Sequence, residues 1–252
     1  IDNKKRPLVW LPIYGMIMPH AYAFVDVGSE GESFMFEKPE DPDWMDQWGS
    51  GAKSGSGAGP GDWLLGIGTL QKFGMVPIFL NYLKFWNRKE YVQASRTQYA
   101  LLGLLDIIPM NVHLGWWFLE RQKFGITDPD VKFHRYFEQK TFTAKAPEVK
   151  ISYYSAKGRA LLNIANCSGE KEYDGPISVD WKELGLDPKS CSVTNIVGHP
   201  SFYDDGKETA GSPTEYSELP LDGNGGFAVK IPRHDFWMVR IDPGQAPPEK
   251  TK

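Results

Sequence analysis

Cysteine is scarce: Cys167 and Cys191 are the only two in 252 residues. Two can form one disulfide, but they neither establish an oxidising compartment nor resemble a metal-binding motif. No stretch approaches the roughly 18 consecutive apolar residues of a membrane-spanning helix. No succession of charged, apolar and small residues opens the chain as a secretory leader would. Basic residues are not in surplus either. Lys and Arg total 28 against 32 Asp and Glu, for a net charge of −4, and the one basic cluster is the short run Lys4-Lys5-Arg6. A nucleic-acid partner is therefore not expected, because neutralising phosphates takes clustered Lys and Arg. Common catalytic signatures are also missing: no HExxH, CxxC or GxSxG occurs. The glycine run at 49–61 has no Gly-Lys-Ser/Thr, because Lys53 follows Ala52, and it lacks the third glycine of a dinucleotide fingerprint. The acidic pair Asp204-Asp205 lacks the regular ligand spacing of an EF-hand. Neither a cofactor nor a metal is expected.

Aromatic residues, by contrast, are plentiful, at 13% of the chain with nine Trp. Most aromatics serve in cores, yet Trp and Tyr also stack against the apolar faces of sugar rings, a ligand that places no demand on net charge. The remaining composition, 41% hydrophobic and 24% charged, is that of a globular protein. The length allows two cores. Because residue 1 is Ile rather than Met, the expectation is that the chain derives from a longer precursor, with an extracellular or periplasmic location.

The pattern along the chain divides in two. Residues 6–14 and 16–27 are apolar with Pro punctuation, and 21–27 reads as a buried strand ending at Gly28. An acidic loop follows, then the low-complexity run 49–61 (GSGAKSGSGAGPG), whose composition predicts a flexible segment. Asp62 caps an expected helix over 63–73 that stops at Gly74. The segment 75–80 (MVPIFL) reads as a strand, 88–105 as a helix with apolar spacing through Tyr91, Ala94, Tyr99 and Leu102, and 107–114 (IIPMNVHL) as another strand. A helix over 116–124 ends at Gly125. Strands that are nearly continuous in apolar residues and alternate with helices signal parallel α/β structure. After about residue 147 the pattern is all-β: ISYYS, RALLNIAN, GPISVDW, CSVTNIV, GFAVKIP and HDFWMVRI alternate with Gly, Asn, Asp and Pro turns. The expected division is thus 1–146 and 147–252, the second being an antiparallel β-sandwich.

Three C-terminal pieces carry a family resemblance: ALLNIANCS at 160–168, ISVDWKELGL at 177–186 and GGFAVKIPRHDFWMVRI at 225–241. With Asn166 after a hydrophobic strand, the turn Leu184-Gly185-Leu186 and the hinge Pro232-Arg233-His234, they resemble the β-domain that follows the barrel in α-galactosidases and related glycoside hydrolases. TQYALLGLLDIIPM at 97–110 is similar to the helix that enters the last barrel strand of those enzymes. The segment VDVGSEGESF at 25–34 looks more like barrel glycosidases near the family 123 hexosaminidases. The resemblance implies the C-terminal portion of a (β/α)8 TIM barrel followed by an antiparallel sandwich. It also implies a glycoside hydrolase, or part of one, acting on an oligo- or polysaccharide. A preceding fragment of the same protein would complete the barrel. The alternative is a non-catalytic carbohydrate-binding or structural scaffold.

In a barrel the active site lies at the C-terminal ends of the strands, and glycoside hydrolysis takes two carboxyl groups flanking the scissile bond. Asp26, Glu30 and Glu32, at or just after the end of the 21–27 strand, are the catalytic candidates. His20, Tyr22, Asn81 and His113 are the polar substrate-binding candidates, with Trp44 and Trp48 as stacking platforms. Each has a plainer reading as well. Asp26 suits a turn cap before Gly28, Glu30 and Glu32 suit a solvated acidic loop, His20 a strand entry, and His113 a core histidine. His234 reads as a packing or hinge residue.

Overall fold

The computed structural model of the chain describes residues 9–12, 25–30, 71, 75–79, 92–109, 114–198, 202–204, 207–209 and 214–244. The expected helix over 63–73, apart from Gln71, and the glycine-rich run at 49–61 lie outside the described residues.

Four short strands open the fold: β1 (Trp10–Pro12), β2 (Val27–Glu30), β3 (Val76–Phe79) and β4 (Ile108–Pro109). They form one sheet in sequence order, and every pair in it is parallel. This agrees with the α/β grammar, with one correction. The strand expected to end before Gly28 instead begins at Val27 and runs through Gly28, Ser29 and Glu30. Gly28 lies buried between Leu11 and Pro77 in the register. A glycine in a strand often marks such a close approach and need not end it.

Helix α1 (Val92–Leu105) links β3 to β4, and α2 (Gly115–Phe124) follows β4. The second helix stops where Gly125 adopts a left-handed φ of 79° and its N–H bonds the carbonyls of Arg121 and Gln122, the αL cap that glycine accepts without strain.

The remaining strands are antiparallel. A six-stranded sheet has the order β13 (Glu215–Glu218), β10 (Cys191–Val197), β15 (Asp235–Pro243), β8 (Arg159–Asn166), β7 (Val149–Ala156), β5 (Lys132–His134). A three-stranded sheet joins β14 (Phe227–Ile231), β9 (Tyr173–Val179) and β6 (Phe142–Ala144). A separate pair is formed by β11 (Phe202–Asp204) and β12 (Lys207–Thr209). Two strands that precede residue 147, β5 and β6, pair into these sheets. They are three residues long and carry no alternation that marks them. The strand β13 is exposed along its whole length, so periodicity could not reveal it. A short helix, α3 (Trp181–Leu184), is capped by Asp180, whose carboxylate accepts from the Glu183 N–H, and it closes at Gly185.

Alternation along 161–166 suggests one wet face, but the structure buries both. All residues of 160–166 are buried. Leu162 and Ile164 enter a core shared with Ile177, Phe227, Val229 and Ile231 of the smaller sheet. Leu161 and Ala165 enter a second core with Tyr99, Leu102, Trp117 and Phe124 of the helices. The six-stranded sheet is therefore a middle layer. Asn166, at the end of β8, donates through Nδ2 to the carbonyls of Lys171, Ile231 and Pro232, at 3.0, 3.1 and 3.2 Å, tying the two sheets together.

Helix and sheet are also joined by polar contacts. Arg96 Nε donates to both carboxylate oxygens of Asp235, at 2.8 and 3.0 Å, and Arg96 Nη2 donates to the Phe236 carbonyl at 3.2 Å. Thr97 Oγ1 donates to the carbonyl of His234 at 2.7 Å. His234 is buried with a φ of 55°, which fits the hinge reading of that residue. Phe236 is fully enclosed, 1% exposed, and stacks on Trp116 with centroids 5.9 Å apart. Its neighbour Trp237 is only half-buried, against the core between the sheets. Replacing Phe236 by Ala is expected to destabilise the protein by about 3–5 kcal/mol. Trp237→Ala should cost clearly less, and denaturant titration of the two variants measures the difference.

Candidate functional site

The parallel order of β1 to β4 sets two distinct edges. At the C-terminal edge, the register places Ser29 opposite Pro12 and Ile78, and Glu30 opposite Phe79. Phe79 is in turn opposite Pro109. Ser29 is 2% exposed, and its hydroxyl accepts a hydrogen bond from Trp10 Nε1 at 2.7 Å. The indole is thereby held along the sheet, although half of Trp10 remains exposed. Sequence reading passed over both residues, because Trp10 sits in an apolar run and its partner is 19 positions away.

Of the catalytic candidates, Glu30 is the last residue of β2 and lies at this C-terminal edge. Asp26 lies at the other. It precedes β2, and its Oδ2 accepts from the Val9 N–H at 2.8 Å, while the N–H groups of Asp26 and Val27 donate to the Val9 carbonyl at 2.9 and 3.1 Å. These bonds tie the start of β2 to the start of β1, the turn role that an Asp before Gly28 suggested. Glu32, His20, Tyr22, Trp44, Trp48, Asn81 and His113 lie outside the described residues. Asp204 is in β11, and its neighbour Asp205 lies outside the described residues. No group of three or more His, Cys, Asp or Glu that could hold a metal ion occurs among the described residues. Cys167 and Cys191 are free thiols, and burial pushes the Cys167 thiol up to about 11.

Among the described residues a polar cluster lies at the N-terminal edge. Asp106 leaves α1 with a φ of 54° just before β4. Its Oδ1 accepts from Arg121 Nη2 and from the Tyr154 hydroxyl, and Arg121 also donates to that hydroxyl. The guanidinium carbon lies 3.9 Å from the centre of the Trp117 ring. Burial drives the Tyr154 hydroxyl well above its ordinary pKa; Arg121 opposes this and Asp106 reinforces it. Gln71 extends the cluster: its Nε2 donates to the Asp106 carbonyl at 2.8 Å and its Oε1 accepts from Arg135 Nη2 at 2.7 Å. The arrangement joins both helices to the central sheet. Asp106, Arg121 and Tyr154 are 15 to 48 residues apart, so no local motif announces the cluster.

Two further pairs lie away from either edge. Glu120 is buried, and its Oε1 accepts from Lys123 Nζ at 2.6 Å and from the Tyr216 hydroxyl at 2.7 Å. The hydrogen bond that Lys123 donates to Glu120 raises the pKa of Lys123. On β5, His134 Nε2 lies 2.8 Å from Ser155 Oγ, and the ring stacks on Tyr153 at 4.3 Å. Burial, with Lys132 adding to it and Glu183 opposing, lowers the His134 pKa.

No family model matches the chain, and no curated protein matches it. Similar solved structures are glycoside hydrolases at low identity. One is a GH27 β-L-arabinopyranosidase from Geobacillus stearothermophilus, in complex with arabinose, at 12% identity and a TM-score of 0.49 over 96% of this chain and 52% of that one. Another is a GH30 endoxylanase from Clostridium papyrosolvens, at 12% identity and 0.38 over 88% and 66%. A third is a noncanonic maltogenic alpha-amylase from Thermotoga neapolitana, at 9% identity and 0.44 over 95% and 56%. The chain spans about half the length of the first of these. The likeness is distant, and it says nothing about which residues act here.

Two outcomes follow from the cluster chemistry. Asp106→Asn removes the charge opposite a deeply buried guanidinium. The expected cost is roughly 3 kcal/mol, the low end for a broken buried pair, because the Asp106 side chain is 26% exposed; thermal and denaturant melts measure it. A lowered His134 pKa means that the unfolded chain takes up the proton first as pH falls. The associated stability is present above the ordinary value near 6.5 and is lost on acidification through the lower folded value. Melting temperatures of the wild type should fall more between about pH 7 and pH 5 than those of His134→Asn. Parallel curves would show that His134 does not contribute.

Proposed function

We propose that this chain is part of a glycoside hydrolase that cleaves glycosidic bonds by carboxylate acid/base chemistry. Glu30, at the C-terminal end of β2, or Glu32, two residues further along the sequence, would then supply one of its two carboxylates. The observation that carries the reading is the position of Glu30, at the C-terminal edge of a parallel sheet whose strands run in sequence order. That edge is where side chains and loops converge on substrate in parallel α/β enzymes, while the opposite edge serves stability. Of the three carboxylate candidates, this reading sets Asp26 aside, since it lies at the opposite edge and already accepts from the Val9 amide.

In this reading β1 to β4 form the last part of a (β/α)8 barrel and the antiparallel sheets form a sandwich that braces its helices. An N-terminal stretch of the same protein supplies the remaining strands and the second carboxylate. The substrate is an oligo- or polysaccharide, for which the abundance of Trp and Tyr provides stacking surfaces. His20, Tyr22, Asn81, His113, Trp44 and Trp48 belong to the same proposal as substrate contacts, and so does an extracellular or periplasmic location.

The test is steady-state hydrolysis of a panel of aryl glycosides by the full-length protein beside Glu30→Gln and Glu32→Gln, with thermal melts of each. A loss in kcat of about 10²-fold or more in one variant at an unchanged melting temperature is the expected result, the scale of a lost general acid or base. Undiminished rates in both variants would place the chemistry elsewhere. Oligosaccharide binding without turnover in the wild type would favour the carbohydrate-binding scaffold.

A further inference from the structure

Helices and central sheet meet around a cavity of about 10 Å³, lined among others by Gly103 of α1, Trp117 and Arg121 of α2, and Tyr154, Asn163 and Met238 of the sheet. That volume is the room one water molecule needs. Three of these side chains bring buried polar atoms that have no hydrogen-bond partner among the described residues: Nε and Nη1 of Arg121, Nε1 of Trp117 and Oδ1 of Asn163. The Arg121 side chain is 5% exposed and Asn163 is 7% exposed, so bulk water does not serve them.

The Asn163 amide is held in one orientation. Its Nδ2 donates to the Ala100 carbonyl at 2.9 Å. The group also lies flat on Gly103, where an added Cβ would come within 2.5 Å of Asn163 Cγ. Turning the amide over would set its oxygen against a carbonyl, so Oδ1 remains an acceptor that needs a donor. The Arg121 atoms are donors that need an acceptor. The charge of Arg121 is already met by Asp106 through Nη2, so the remaining N–H groups call for an acceptor without calling for an anion.

We propose that this cavity is a binding site for one structural water that accepts from Arg121 and donates to Asn163 Oδ1, coupling α2 to β8 through the core. A halide or other small anion could accept from Arg121 and Trp117, yet it offers nothing to Asn163 Oδ1. Water does both jobs, as buried waters that make two to four hydrogen bonds commonly do.

A high-resolution crystal structure of the full-length protein, with a second crystal soaked in bromide, tests the site directly. The expected result is one spherical peak within hydrogen-bonding distance of both Asn163 Oδ1 and Arg121, with no anomalous signal after the soak. In solution, oxygen-17 relaxation dispersion should count one long-lived water fewer in Asn163→Leu than in the wild type. A site without density, a direct Arg121–Asn163 hydrogen bond, a bromide peak or an unchanged water count would each overturn the proposal. If Asn163→Leu does not fold, the two wild-type crystals decide the question.

Discussion

A sheet buried on both faces must satisfy every polar group it presents to either core, and the middle layer of this protein is such a sheet. On the face toward the helices it carries Ser152 and Asn163, both buried among Leu161, Ala165, Phe236 and Met238. Leaving such groups unpaired costs about 1–3 kcal/mol each. The donors of these groups meet the cost by bonding into α1: Ser152 Oγ to the Leu104 carbonyl at 2.7 Å and Asn163 Nδ2 to the Ala100 carbonyl at 2.9 Å. Hydrophobic burial holds the layers together without regard to register, whereas these two directional bonds set where along the sheet the helix lies.

Once α1 is placed, much else follows. Its earlier turns are held by Arg96 on Asp235 and Thr97 on the His234 carbonyl. Its last turn delivers Asp106 to Arg121 and Tyr154. The chain then enters β4, which pairs with β3. The antiparallel sheets therefore act on the parallel sheet through the helix, and they set the position of its last strand. A rigid support of this kind is what loops carrying chemistry require, since a functional group on a loop is only as well placed as the elements that bound it.

The two edges of the parallel sheet carry different carboxylates. Asp26 and Asp106 both lie at the N-terminal edge, where one binds a backbone amide and the other closes a buried ion pair. Their carboxylates are engaged with the protein itself. Glu30 stands at the opposite edge, four residues and one short strand away from Asp26. A strand of four residues thus separates an acid that stabilises from an acid proposed to react. The strand's direction, more than the chemistry of either side chain, separates the two roles.

Much of this architecture was legible in local sequence. Apolar segments broken by Gly and Pro marked most of the longer strands, β14 among them after the Asp222-Gly226 turn, and Gly125 marked the end of α2. In that turn the Asp222 carboxylate accepts from the Asn224 and Gly226 N–H groups, at 2.7 and 2.9 Å. These features depend on backbone conformation and on neighbours a few residues apart, so the sequence alone determines them. Where β2 starts, that β8 is buried on both sides, that β13 exists at all, and that Asp106 meets Arg121 and Tyr154 were decided only by the tertiary structure. Each of those depends on a surface supplied from a distant part of the chain. An alternating pattern reads the same whether its second face meets water or a helix, and a carboxylate reads the same at either end of a strand until the strand's partners are known.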